Sequence, residues 1–199
     1  VLAQFAKNTP LPDVQAALVQ WMRMRPQMAT LTADRLMQYL SVSGWFTEAA
    51  LAQGKILGAL DLKSVLRLLA RSASQPATSG TLHQALDEVE SSQVKASQDW
   101  QRGDINLNLV LPFADAAPME MHIEREAQRP GQPPNPLIIN MHTQSPALGE
   151  VWLKTTITAQ TSRQQIDLTM WAVREEVAAL AMQQAPALIE ELQDPGMVE

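Results

Sequence analysis

At Gly103 the spacing of apolar residues changes, and that change limits what this chain can fold into more than any other feature. Before it, apolar residues recur every three or four positions. After it they recur at every second position: Ile105, Leu107, Leu109 and Leu111, then Met119, Met121 and Ile123. The first spacing keeps one side of a helix apolar, and the second keeps one face of a strand apolar. Because the two patterns follow one another and do not alternate, the expected fold is α+β. A helical region over 1–101 precedes a small, mostly antiparallel sheet with a C-terminal helix over 102–199.

In the helical part, Val14, Leu18, Trp21 and Met22 predict a helix that Pro26 ends. Thr32 has the chemistry of an N-cap for a helix over 33–42, whose expected buried stripe is Leu36, Met37 and Leu40. A further helix is expected around Trp45 to Leu51. Asp61 is placed to cap another over 62–71 that buries Leu62, Val65, Leu66 and Leu69. The stretch 72–80 carries Pro76 and Gly80 and is expected to be a linker. A long helix follows over 81–100, with Leu82, Leu86 and Val89 on one face.

In the second part, a hairpin is expected from 105–111 and 119–126. The stretch 127–136 contains four prolines and one glycine and is expected to be a surface loop. Strands over 137–143, 151–158 and 165–172 come next. Their apolar sets are Leu137, Ile139 and Met141; Val151, Leu153 and Ile157; and Ile166, Leu168 and Met170. Trp152 and Trp171 fall on the opposite face. A final helix over 174–192 would use Val177, Leu180, Ala181, Leu188 and Leu192 as its apolar surface, with Pro186 expected to kink or split it.

Charge and composition narrow the function. A net charge of −6 without a basic stripe argues against non-specific nucleic-acid binding. The absence of cysteine removes disulfides, thiolate metal sites and cysteine nucleophiles from consideration. The opening Val1-Leu-Ala-Gln-Phe-Ala lacks the basic start and long apolar centre of a secretory leader. A first residue other than Met and an abrupt Gly196-Met-Val-Glu end lead to the expectation of a piece of a longer polypeptide.

No residue pattern calls for chemistry. The histidines are His83, His122 and His142; the last two fall on outward strand faces, with Glu120 and Glu124 near the first of them. Two imidazoles and a carboxylate are a metal-ligand set in principle, but solvated positions on a half-exposed sheet account for them. Glu175-Glu176 at a helix start complement its dipole. Ser145 is followed by Pro146 and lacks the glycine-flanked elbow of hydrolases, and the glycines form no phosphate loop. No catalytic residue, cofactor or metal is therefore expected. Trp152 and Trp171 read first as packing residues, although Trp is also enriched in binding hot spots.

Several motifs, taken in order, carry a resemblance. They are Ser43-Gly44-Trp45-Phe46-Thr47-Glu48-Ala49, Asp61-Leu62-Lys63, Leu109-Val110-Leu111-Pro112-Phe113, Met121-His122-Ile123-Glu124-Arg125-Glu126 and Pro146-Ala147-Leu148-Gly149-Glu150-Val151. Over roughly residues 40 to 199 the chain resembles the flagellar hook-length control protein family in its longer variants, with a second alternating strand and a helix after the last motif. Family members usually continue with a turn and a final strand. Asp194-Pro195-Gly196 begins such a turn, so the resemblance implies a last strand beyond Glu199.

The resemblance implies a non-enzymatic switch. Such proteins reside in the bacterial cytoplasm and then pass through the flagellar type III export apparatus as the hook grows. The C-terminal domain engages the cytoplasmic domain of the export-gate membrane protein, and export changes from hook-type to filament-type substrates. A preceding region would meet hook and hook-cap proteins. Neither nucleic acid nor membrane insertion is implied. Lack of disulfides and marginal stability suit a chain that must unfold for export. The expected docking residues are Pro146, Leu148, Gly149, Val151 and Trp152, with Leu148 as anchor. Two other readings are a scaffold domain unrelated to export and a needle-length regulator of a virulence secretion system.

Overall fold

The computed structural model describes residues 12–42, 62–72, 76–129, 131–159 and 164–192. The helix expected around Trp45 to Leu51 and the cap at Asp61 lie outside these residues. Contacts divide the chain into two compact units, Val1–Arg102 with Leu111–Ala116, and Gly103–Val110 with Ala117–Glu199.

The first unit is helical: α1 (Pro12–Arg23), a 3-10 turn (Met28–Thr30), α2 (Ala33–Val42), α3 (Leu62–Ser72) and α4 (Pro76–Gln101). Pro12 and Pro76 each occupy a first helical position, where proline's fixed φ fits and its missing N–H is not needed. That is why the expected linker over 72–80 is shorter: α4 starts at Pro76 and runs through Gly80. Thr32 caps α2, its Oγ1 accepting from Arg35 N at 3.3 Å and its carbonyl from Leu36 N at 2.9 Å.

The core of this unit joins Leu18 and Trp21 of α1, Val65, Leu66, Leu69 and Ala70 of α3, and Leu82 and Leu86 of α4. Arg67 and Glu90 pair across α3 and α4 at 2.7 Å. In α2, Tyr39 is buried; Met37 is 64% exposed, contrary to the expected stripe. Burial pushes the Tyr39 phenol up to about 12, against the opposing effect of the Arg25 guanidinium.

By contacts, the Leu111–Ala116 segment clusters with these helices. Leu111 and Phe113 are buried, and Ala114 N donates to Pro26 O at 2.9 Å. The Asp115 carboxylate accepts from Met28 N at 2.7 Å and Ala29 N at 3.3 Å. The Met28 amide in particular holds the Asp115 carboxyl below its ordinary range.

The second unit is an antiparallel meander in the order β1 (Ile105–Leu111), β2 (Met119–Arg125), β3 (Leu137–Ser145), β4 (Gly149–Ala159) and β5 (Gln164–Ala172), followed by α5 (Glu175–Leu192), which packs on β5. Register puts the expected apolar sets on one face. Ile123 pairs with Ile139, and Met121 with Met141. Met141 pairs with Leu153, and Leu137 with Ile157. On the far side, Leu153 meets Met170 and Ile157 meets Ile166. The fold is thus α+β, with a helical region followed by a five-stranded antiparallel sheet and a C-terminal helix packed on it.

The loop between β2 and β3 is held by Asn135, whose side-chain amide donates to Ala127 O at 3.1 Å and Glu126 O at 3.4 Å. Helix α5 continues through Pro186 to Leu192 and does not split. Val177, Ala181 and Leu192 are half-buried, but Leu180 and Leu188 of the expected apolar surface are 53% and 43% exposed. Among the described residues no helix is long and apolar enough to cross a membrane.

Candidate docking surface

The β3–β4 connection is a tight turn, Pro146-Ala147-Leu148, between Ser145 and its register partner Gly149. Its inner bond runs from Leu148 N to Ser145 Oγ at 3.0 Å. Gly149 has φ +71°, a left-handed conformation that side chains with a Cβ disfavour. A Cβ there would also lie 3.0 Å from Arg174 Cδ and 3.1 Å from its Cγ.

Arg174 reaches the turn because the β4–β5 ladder extends beyond Ala172: Val173 N donates to Glu150 O at 3.1 Å. Its guanidinium donates to Ala147 O at 2.6 Å and to Glu176 Oε1 at 2.8 Å through Nε. Glu176 is held below its ordinary carboxylate range, first by its own backbone amide and then by Arg174. The turn is therefore tied to the start of α5, while Leu148 remains 41% exposed.

Successive residues of a strand point to opposite faces. Val151 accordingly lies on the apolar face and Trp152 on the other, so two of the five expected docking residues are separated by the sheet. Pro146, Leu148 and Gly149 stay together at the turn, with Pro146 exposed.

On the polar face, one row crosses four strands: Glu120 pairs with His142, His142 with Trp152, and Trp152 with Trp171. The His142 imidazole stacks on the Trp152 ring with centroids 5.2 Å apart and planes 20° from parallel. Its Nδ1 lies 3.4 Å from Glu120 Oε2 and its Nε2 3.1 Å from Glu150 Oε1. Trp152 and Trp171 are 37% and 51% exposed. A neighbouring row holds His122 between Asn108 Oδ1 at 2.7 Å and Glu124 Oε2 at 3.3 Å. His83 lies in α4, its Nδ1–H donating to Ser79 O at 2.7 Å. Among the described residues, no three His, Asp or Glu side chains are grouped as metal ligands.

Sequence reasoning missed Arg174 and the stacking role of His142. The signal for Arg174 was available only with the register, which brings the end of β5 beside the start of β4. His142 and Trp152 are ten positions apart and become neighbours through the same hairpin. No protein-family model matches this chain, and neither curated proteins nor solved structures provide a match.

Proposed function

We propose that the sheet-and-helix unit is a non-enzymatic docking module that takes part in flagellar hook-length control. In this reading it engages the cytoplasmic domain of the export-gate membrane protein and switches type III export from hook-type to filament-type substrates. The protein acts first in the bacterial cytoplasm and then leaves through the export apparatus.

The reading is carried by the Pro146–Val151 segment. It bears the last of the ordered motifs that resemble the family. It also presents an exposed leucine on a turn tied to both β4 and α5. A preset apolar anchor loses less conformational freedom on binding than one on an unrestrained loop. Trp152 and Trp171 add exposed aromatic surface on the polar face of the sheet, of the kind found in binding hot spots.

The test is Leu148→Asp in the full-length polypeptide, complementing a deletion strain, with hook lengths measured. Leu148 is exposed, so the substitution leaves the fold intact by circular dichroism. The reading predicts overlong hooks without filaments. Hooks of normal length bearing filaments would contradict it.

A further inference from the structure

We infer that the row of His142, Trp152 and Trp171 on the polar face of the sheet, with Glu120 and Glu150 beside it, binds an arginine side chain presented by a segment of another protein. The inference rests neither on the export-gate reading nor on Leu148.

The three rings are consecutive across β3, β4 and β5, because His142 is the register partner of Trp152 and Trp152 that of Trp171. Their surface is open to solvent, with Trp152 37% and Trp171 51% exposed. An exposed indole can receive an apolar group, another ring or a cation.

The neighbouring charges decide among these. Glu120 stands across from His142 on β2. Glu150 precedes Trp152 by two residues on the same face of β4, about 7 Å along the strand. Their side chains are 70% and 36% exposed. An apolar occupant would take water from these carboxylates and return no hydrogen bond. An anion would be repelled by them. Lys154 shares the face on the other side of Trp152, where it lies between Asn140 and Thr169. Negative charge therefore gathers at the Glu120–Glu150 side of the row, and the complementary occupant is a cation.

His142 narrows the choice further. Its Nδ1 lies 3.4 Å from Glu120 and its Nε2 3.1 Å from Glu150. A neutral imidazole has a single N–H. It donates to one carboxylate and turns a ring lone pair toward the other, which can then accept from an incoming donor. The fitting group is cationic, flat enough to lie on an indole, and rich in donors at its edge. A guanidinium has these properties, whereas an ammonium is compact and holds its water more strongly.

The test is a titration of the tryptophan indole N–H signals of the 199-residue chain by nuclear magnetic resonance. The probe is the peptide acetyl-Gly-Arg-Gly-Arg-Gly-amide, taken to about 10 mM. Trp152→Phe and Trp171→Phe assign the two signals. Both should shift together and saturate. The same peptide with lysine in place of arginine should bind at least about threefold more weakly. The double variant Glu120→Gln with Glu150→Gln should weaken arginine binding at least about tenfold. Both carboxylates are exposed, so the variant keeps its fold, which unshifted signals from the other tryptophans confirm. Signals of Trp152 and Trp171 that do not move, or that drift without saturating, overturn the inference. So do equal affinities for the two peptides, or binding that the glutamine variant leaves unchanged.

Discussion

Arg174 donates from its guanidinium to the carbonyl of Ala147 at 2.6 Å, so the residue leading into α5 closes the turn between β3 and β4. Twenty-seven positions separate the two residues in the chain. The hydrogen bond between Val173 and Glu150 brings them together. The turn depends on this contact on one side and on the backbone of Gly149 on the other.

Gly149→Ala should destabilise the sheet unit by about 1–2 kcal/mol, the cost of a left-handed conformation for a residue with a Cβ. The new methyl also meets the Arg174 side chain. In an Arg174→Ala background that second contribution disappears, so the two substitutions should be non-additive. Urea denaturation of the two single variants and the double variant measures this; strict additivity would show that the Cβ and the arginine do not meet.

In the helical unit, Leu69 and Met37 should behave in opposite ways. Leu69 is 2% exposed among residues of three helices, whereas Met37 is 64% exposed. Leu69→Ala should cost about 2–5 kcal/mol and Met37→Ala under about 1 kcal/mol. Chemical denaturation midpoints provide the comparison.

Tyr39 is the chain's single tyrosine, so its ionisation can be followed directly by ultraviolet absorbance. Burial favours the neutral phenol. The native midpoint should lie at about 12, while the denatured chain titrates near the ordinary value of about 10. Between these values the folded state retains a proton that the unfolded state has lost. Tyr39 therefore contributes stability fully below pH about 10, and that contribution declines as pH rises toward 12. A native midpoint equal to the denatured one would place Tyr39 in solvent.

Much of this fold was legible because apolar spacing is local information. The alternation of Met119, Met121 and Ile123, and of the three later strands, gave the apolar face that the register confirms. Spacing did not show which face of a helix meets a neighbour when both faces carry apolar side chains, and α2 buries Tyr39 in place of Met37 for that reason. Pro76 was read as a breaker although it begins a helix, since its effect depends on position in the first turn. At the candidate docking surface, Pro146, Leu148 and Gly149 were legible as a turn. The opposition of Val151 and Trp152 followed from strand alternation but was missed when they were grouped by sequence proximity. The arginine tie and the His142–Trp152 stack arise from pairing across strands, which no local pattern encodes.

The central claim is that the turn carrying Leu148 docks on the export gate. Its most direct test is isothermal titration of the 199-residue chain against the soluble cytoplasmic domain of the export-gate protein, with wild type and Leu148→Asp in parallel. The account predicts measurable binding by the wild type and at least tenfold weaker binding, about 1.4 kcal/mol, by the variant. Equal affinities, or a wild-type chain that does not bind, would contradict it.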